Sequence, residues 1–207
     1  MIAIIDYGMG NLRSVQKALQ FVGQDAVITS YLDEINKADK IVLPGVGAIG
    51  DAMETIRKKG FDKAIYKACD EGKPFLGICL GLQILFESSE ESLGVSGLSL
   101  LKGKVLRIPA APGLKIPHIG WNSLEIKKDG GLFRSITGEP YVYFVHSYYL
   151  KAEEDVVTAA AQYGVEIHAA VQKDNLMACQ FHPEKSGVLG LKLLENFAAM
   201  TQEKGGV

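Results

Sequence analysis

The stretch "PFLGICLGLQILFE", residues 74–87, decides how this chain is read. Up to Ile78 it is a short apolar run of the kind that forms a buried strand. From Leu80 onward, Leu82, Ile84, Leu85 and Phe86 fit a helix. The change of period falls on Cys79, with Gly77 two residues before it and Gly81 two after. A sharp strand-to-helix turn needs small neighbours, and G-x-C-x-G is the thiol counterpart of the serine elbow in hydrolases. The helix beginning after Cys79 would aim its free N–H groups and positive dipole end at the sulfur, favouring thiolate. The Leu80 N–H would then be placed to donate to an oxyanion. A lone cysteine here reads equally well as a small core residue, because free cysteine is commonly buried.

Before that turn, strands and helices alternate. "IAIIDY" reads as a strand, "NLRSVQKALQFVG" as a helix stopped by Gly23, "DAVITS" and "KIVLPG" as the second and third strands. Residues 48–59 and 61–71 read as two helices, and "KPFLGIC" as the fourth strand. Such alternation implies a parallel sheet covered on both faces. After it, "LLKGKVLRIP", "HIGWNSLEIK", "YVYFVHSYYLKA", "DVVTAAAQYG", "VEIHAAVQK" and "NLMACQFHP" read as strands joined by short turns, antiparallel or mixed. "GVLGLKLLENFAAMTQ" closes the pattern as a helix, and "EKGGV" is expected to fray. The expectation is one three-layer α/β domain over residues 1–207, with a mostly parallel central sheet and an antiparallel extension in the second half.

The totals agree. A chain of 207 residues, 47% of them hydrophobic, is long and apolar enough to bury a core. A net charge of −2 without a basic stripe gives no footprint for nucleic acid. Three widely spaced cysteines and four scattered histidines show no metal-ligand spacing, so no metal and no cofactor are expected, and the cysteine usage fits a reducing compartment. No run approaches the roughly 18 apolar residues of a membrane span, and the N-terminus lacks a basic n-region. A soluble, cytoplasmic protein is expected.

Ligands of a parallel sheet bind at the carboxyl ends of its strands. Four Gly-bearing stretches fall there: "DYGMGN", "LPGVGAIG", "GICLG" and "QFHPEKSG". In the last, Pro183 is expected to hold the chain extended so that His182 and Glu184 share a face. Glu184 would bond one ring nitrogen and leave the other to take a proton from Cys79. In "PGVG", Gly45 and Gly47 flank Val46, whose N–H could be a second oxyanion donor beside that of Leu80. "FHPE" also has a plain reading as a surface turn after the last strand, and "PGVG" as an ordinary turn.

Together, "GICLGLQ" and the downstream "HPE" resemble the class I glutamine amidotransferases, whose thiol-dependent glutaminase domains feed ammonia to synthases. The resemblance spans essentially the whole chain and implies a flavodoxin-like three-layer fold. It implies that Cys79 attacks the carboxamide of glutamine, that the Val46 and Leu80 amides hold the oxyanion, and that His182, oriented by Glu184, moves the protons. Gly47, Gln83, Glu91, His146, Ser147 and Tyr148 would bind the substrate. "DYGMGNLRSV", "LPGVGAIGDAM", "PHIGWN" and "FVHSYY" are similar to the branch whose acceptor is a (β/α)8-barrel cyclase subunit of histidine biosynthesis. Asn11, Arg13, His118 and Trp121 would lie on the docking face for that partner. The anthranilate-type branch fits less well, because it tends to carry PGP where this chain has "PGVG" and His where it has Leu82. A stand-alone thiol hydrolase of the same fold is the other alternative. Cys69, Cys179 and His168 read as packing residues.

Overall fold

The computed structural model describes residues 1–202; the segment 203–207, expected to fray, lies outside the described residues. The first half runs β1 (Ile2–Ile5), α1 (Leu12–Phe21), β2 (Ala26–Thr29), α2 (Leu32–Lys37), β3 (Lys40–Gly45), α3 (Ile49–Lys59), α4 (Phe61–Asp70), β4 (Phe75–Cys79) and α5 (Leu80–Gln83), and all of these but α2 were expected. The second half holds β5 (Ser88–Ser89), β6 (Gly103–Arg107), β7 (His118–Ser123), β8 (Glu125–Ile126), β9 (Tyr141–His146), β10 (Tyr148–Ala152), β11 (Val157–Tyr163), β12 (Val165–Lys173), β13 (Leu176–Cys179) and α6 (Gly187–Ala198).

The main sheet has the order β2-β1-β3-β4-β13-β12-β11-β8. Its first five strands run parallel, and β12, β11 and β8 follow antiparallel. Side chains alternate across the pleat and divide the core in two. Ile4, Val42, Leu76 and Ile78 meet Val15 and Leu19 of α1 and Leu194 and Phe197 of α6 on one face. Ile5, Ile41, Leu43 and Phe75 meet Ile35 of α2, Met53 and Ile56 of α3 and Ile65 of α4 on the other. A sheet with an apolar core on each side is the three-layer arrangement read from the sequence.

Local expectations are corrected at five places, the first being "HIGWNSLEIK", which is not one strand but β7, paired with β9, and β8, paired with β11. The helix after Cys79 lasts one turn, because the carbonyls of Ile84, Leu85 and Phe86 accept hydrogen bonds from Leu98, Leu100, Leu101 and Ser99 instead of continuing the helix. "YVYFVHSYYLKA" is two strands, since the chain leaves β9, paired with β7, and enters β10, paired with β6. α2 was not anticipated: six residues with one buried apolar side chain, Ile35, are too short to show a helical period. Pro183–Lys185 is a 3-10 turn rather than extended chain.

The adjacency of β1, β3, β4 and β13 brings all four Gly-bearing stretches to one edge of the sheet. Among the described residues, no helix is long and apolar enough to cross a membrane.

Candidate active site

At the end of β4 the backbone of Cys79 has φ 57° and ψ −109°. A non-glycine residue held there carries strain of order 1–3 kcal/mol, which persists only where the surroundings over-determine it. The surroundings here are two glycines. A Cβ on Gly77 would lie 2.6 Å from the Gly81 carbonyl oxygen, and one on Gly81 would overlap the carbonyl oxygen of Leu43 on β3. The G-x-C-x-G spacing therefore reflects close backbone approach, and it lifts the sulfur to the carboxyl edge of the sheet.

His182 follows β13, the neighbour of β4. Its N–H donates to the Tyr143 carbonyl at 3.0 Å. The Ser186 hydroxyl donates to the His182 carbonyl at 2.7 Å and accepts from the Tyr143 N–H at 3.0 Å, which pins the turn to β9. Because Pro183 opens a 3-10 turn, Glu184 folds back beside the imidazole, and Oε1 lies 2.8 Å from Nδ1. Both side chains are almost wholly buried, and Nε2 is left without a hydrogen-bond partner. Burial opposes charge on the ring, but Cys79 and Glu184 outweigh it and raise the His182 pKa to about 9. Thiol, imidazole and carboxylate thus stand in the order that proton transfer to and from sulfur requires.

A cleft of about 310 Å³ opens over the sulfur, lined by Val46, Gly47, Cys79, Leu80, Gln83, Glu91, His146, Ser147, Tyr148 and His182, with Pro117 and Val145. Glu184 stands behind His182, outside the cleft. Glu91 reaches the site by accepting from the Ile49 N–H at 3.3 Å, beside Ser92, which accepts from Gly50 at 3.0 Å. These two side chains serve the first amides of α3 and tie the "PGVG" turn to the far wall. Burial, aided by Asp51 and opposed by the Ile49 N–H, raises the Glu91 pKa.

Gln83 donates to the Tyr148 carbonyl at 3.3 Å and to Gln180 Oε1 at 2.9 Å. His146 Nδ1 lies 2.8 Å from the same carbonyl, and its Nε2 lies 3.0 Å from His118 Nδ1. A carbonyl only accepts, so His146 carries its proton on Nδ1 and His118 donates to it. Burial lowers both pKa values to about 4.

The four residues expected on a docking face divide. Trp121 is 56% exposed, on the outward side of the β7–β9 ladder with Ile119 and Tyr141. Asn11 and Arg13 are exposed, and the Asn11 side chain makes no capping bond. His118 is a correction: it points to the inward side of the ladder, buried, and stacks on Tyr163 at 3.7 Å. Cys179 and Cys69 are thiols whose pKa burial raises, Cys69 to about 12. His168 accepts from the Ala152 N–H, joining β10 to β12. Gln180, Ser186, Ser92, Pro117 and Val145 were missed. All of these but Ser92 stood inside stretches already singled out, Gln180 and Ser186 in "QFHPEKSG", Pro117 in "PHIGWN" and Val145 in "FVHSYY".

The sequence profile of the family described as Glutamine amidotransferase class-I matches residues 3–200. The chain belongs to that family. This amidotransferase is 55% identical to the imidazole glycerol phosphate synthase subunit HisH of Caldanaerobacter subterraneus subsp. tengcongensis, over 97% of this chain and 98% of the relative. It is 51% identical to the subunit of the same description from Moorella thermoacetica, over 99% of this chain and 97% of the relative. The branch read from the sequence is the one to which these relatives belong. Solved structures carry the same fold: PurLQS from Thermotoga maritima at TM-score 0.76 and 22% identity, over 95% of this chain and 96% of that one, and a glutamine amidotransferase at 0.74 and 20%, over 96% and 100%.

Proposed function

We propose that this amidotransferase is the glutaminase subunit of an imidazole glycerol phosphate synthase, acting as a single cytoplasmic domain in histidine biosynthesis. The observation that carries the chemistry is Cys79, strained at a strand-to-helix turn, beside a buried His182 whose Nδ1 is held by Glu184 at 2.8 Å. The relatives' printed descriptions support the pathway.

The Cys79 thiolate attacks the side-chain carbonyl carbon of glutamine, and the carbonyl electron pair moves to oxygen. The N–H groups of Val46 and Leu80 hold that oxyanion. As the tetrahedral adduct collapses, His182 gives its proton to the departing nitrogen, which leaves as ammonia. His182 then takes a proton from water, whose oxygen attacks the γ-glutamyl thioester and releases glutamate and the thiolate. Glu184 orients the ring throughout. Gln83, Gly47, His146, Ser147 and Tyr148 seat the substrate, and Glu91 takes its α-amino group.

Free ammonia at neutral pH is mostly protonated and not nucleophilic, so it has to travel in a dry passage to its acceptor. That acceptor is a (β/α)8-barrel cyclase subunit, docked against the face bearing Trp121, Asn11 and Arg13. It consumes a phosphoribulosyl formimino-carboxamide nucleotide and makes imidazole glycerol phosphate and an aminoimidazole carboxamide ribotide.

Glutamate release is the test, measured for the purified chain alone and with a cyclase subunit and its nucleotide ligand. Strong stimulation by the complete mixture is expected. High turnover by the chain alone would point to an independent thiol hydrolase, and no turnover in any mixture would point first to an anthranilate-type partner.

A further inference from the structure

Gln180 has no part in the mechanism above, yet its side chain is wholly buried beside the nucleophile. A carboxamide taken fully out of water costs free energy unless its donors and acceptor are used. Its Oε1 accepts from Gln83 at 2.9 Å, and its Nε2 lies 3.7 Å from the Cys79 sulfur. The direction of this relay is set at its far end. The Tyr148 carbonyl can only accept, so Gln83 turns its NH2 group toward it, and the same NH2 group faces Gln180. Gln180 therefore presents oxygen to Gln83 and its own NH2 group to the sulfur.

We propose that Gln180 is a positioning residue that donates a hydrogen bond to the Cys79 thiolate and favours the charged form. The inference rests on reading Cys79 as the nucleophile. A donor aimed at an anion is worth more than one aimed at a neutral thiol, so the contact stabilises thiolate over thiol. It also ties the sulfur to a chain of amides that begins at the Tyr148 carbonyl on β10. His146 donates to the same Tyr148 carbonyl, so one backbone oxygen orients both the amide relay and a wall of the cleft.

The test is the pH dependence of iodoacetamide alkylation at Cys79, followed by peptide mass in the full-length chain. Only the thiolate reacts, so the midpoint reports its population. Gln180→Met keeps the bulk and removes the donor, and its midpoint is expected to rise by about one to two pH units, the shift equivalent to one hydrogen bond to a charged group. Gln180→Glu keeps the shape and the acceptor for Gln83 but sets an oxygen against the sulfur, and its midpoint should rise at least as far. An unmoved midpoint in either folded variant overturns the proposal, and if the Met variant does not fold the Glu variant decides. Alkylation requires no glutamine turnover. A wild type without glutamate release in the complete mixture, but with the shift intact in the variants, sinks the glutaminase reading alone. Normal glutamate release with no shift sinks this one alone.

Discussion

Gly81 lies so close to the Leu43 carbonyl that any side-chain atom at position 81 would occupy the space of that oxygen. The first turn after Cys79 and the strand leading to Val46 are thereby locked together without a side chain between them. Gly81→Ala is expected to force β3 and β4 apart and cost about 1–3 kcal/mol, as overpacking does in a filled core. Urea unfolding would show it as a lower midpoint at unchanged slope. Gly8→Ala is the wrong control, since its φ is positive, but Gly50→Ala, whose Cβ would meet side-chain atoms alone, Ser92 at 3.0 Å and Val95 at 3.9 Å, should cost less.

Cys79→Ala should abolish glutamine-dependent synthesis by the complete synthase and leave ammonia-dependent synthesis intact. Both rates are read from the same cyclase product with the two nitrogen sources. Loss of both would mean that the cysteine also holds the complex together.

Glu184 helps keep His182 protonated up to about pH 9, so glutamine turnover should fall as pH rises through that value. Glu184→Gln removes the negative charge, and the alkaline limb of kcat/KM should move to lower pH. Turnover itself should drop by about 10²-fold or more, as a misoriented imidazole would cause. An alkaline limb in the same place in the variant would contradict the assignment.

Val46 sits between two glycines, and its peptide can swing at small steric cost. Low turnover in the chain alone, rising when the partner's nucleotide site fills, is expected from that freedom. Val46→Pro deletes the N–H, and the stimulated rate should fall by about 10²–10³-fold if it is an oxyanion donor. Stopped assays of glutamate release with and without nucleotide would separate the two effects.

The buried pair His118 and His146 predicts acid sensitivity. Both have folded pKa values near 4, below the ordinary histidine value of 6.5. The unfolded chain binds more protons in that window, so the stability they lend is present above about pH 6.5 and is lost as pH falls toward 4. Thermal midpoints measured across this range should decline, and less steeply in His118→Phe, which keeps the stack on Tyr163 and does not titrate. His182 acts at the other end: its raised pKa lends stability that is full below about pH 6.5 and lost as pH rises through about 9.

What was legible in the sequence was whatever depends on near neighbours. β3 came out with its observed bounds because Lys40–Gly45 is one apolar run closed by Pro and Gly. The elbow was readable because two glycines at fixed offsets admit few backbone paths. His118 was misplaced because alternation along β7 shows that two faces exist but not which one turns inward; Tyr163, far along the chain, decides that by stacking on it. Gln180 was passed over for a related reason. A polar residue between Cys179 and Phe181 looks like the solvent side of an edge strand, and only the pairing of β13 beside β4 turns it toward the sulfur. The short α5 belongs with these, since residues 97–101 stop it from outside.

The neighbouring of β4 and β13 has a consequence for synthesis on the ribosome. Cys79 emerges early, but the strand that carries His182 to it pairs across the length of a hundred-odd residues, Leu176 against Phe75. Contacts so distant along the chain form late, after the entropy of closing a long loop has been overcome. The four strands β2, β1, β3 and β4 can assemble as the chain appears, while the thiol waits without His182. A ribosome stalled before β13 therefore displays Cys79 without His182 beside it, and the pairing of thiol with that imidazole arrives only once β13 is in place.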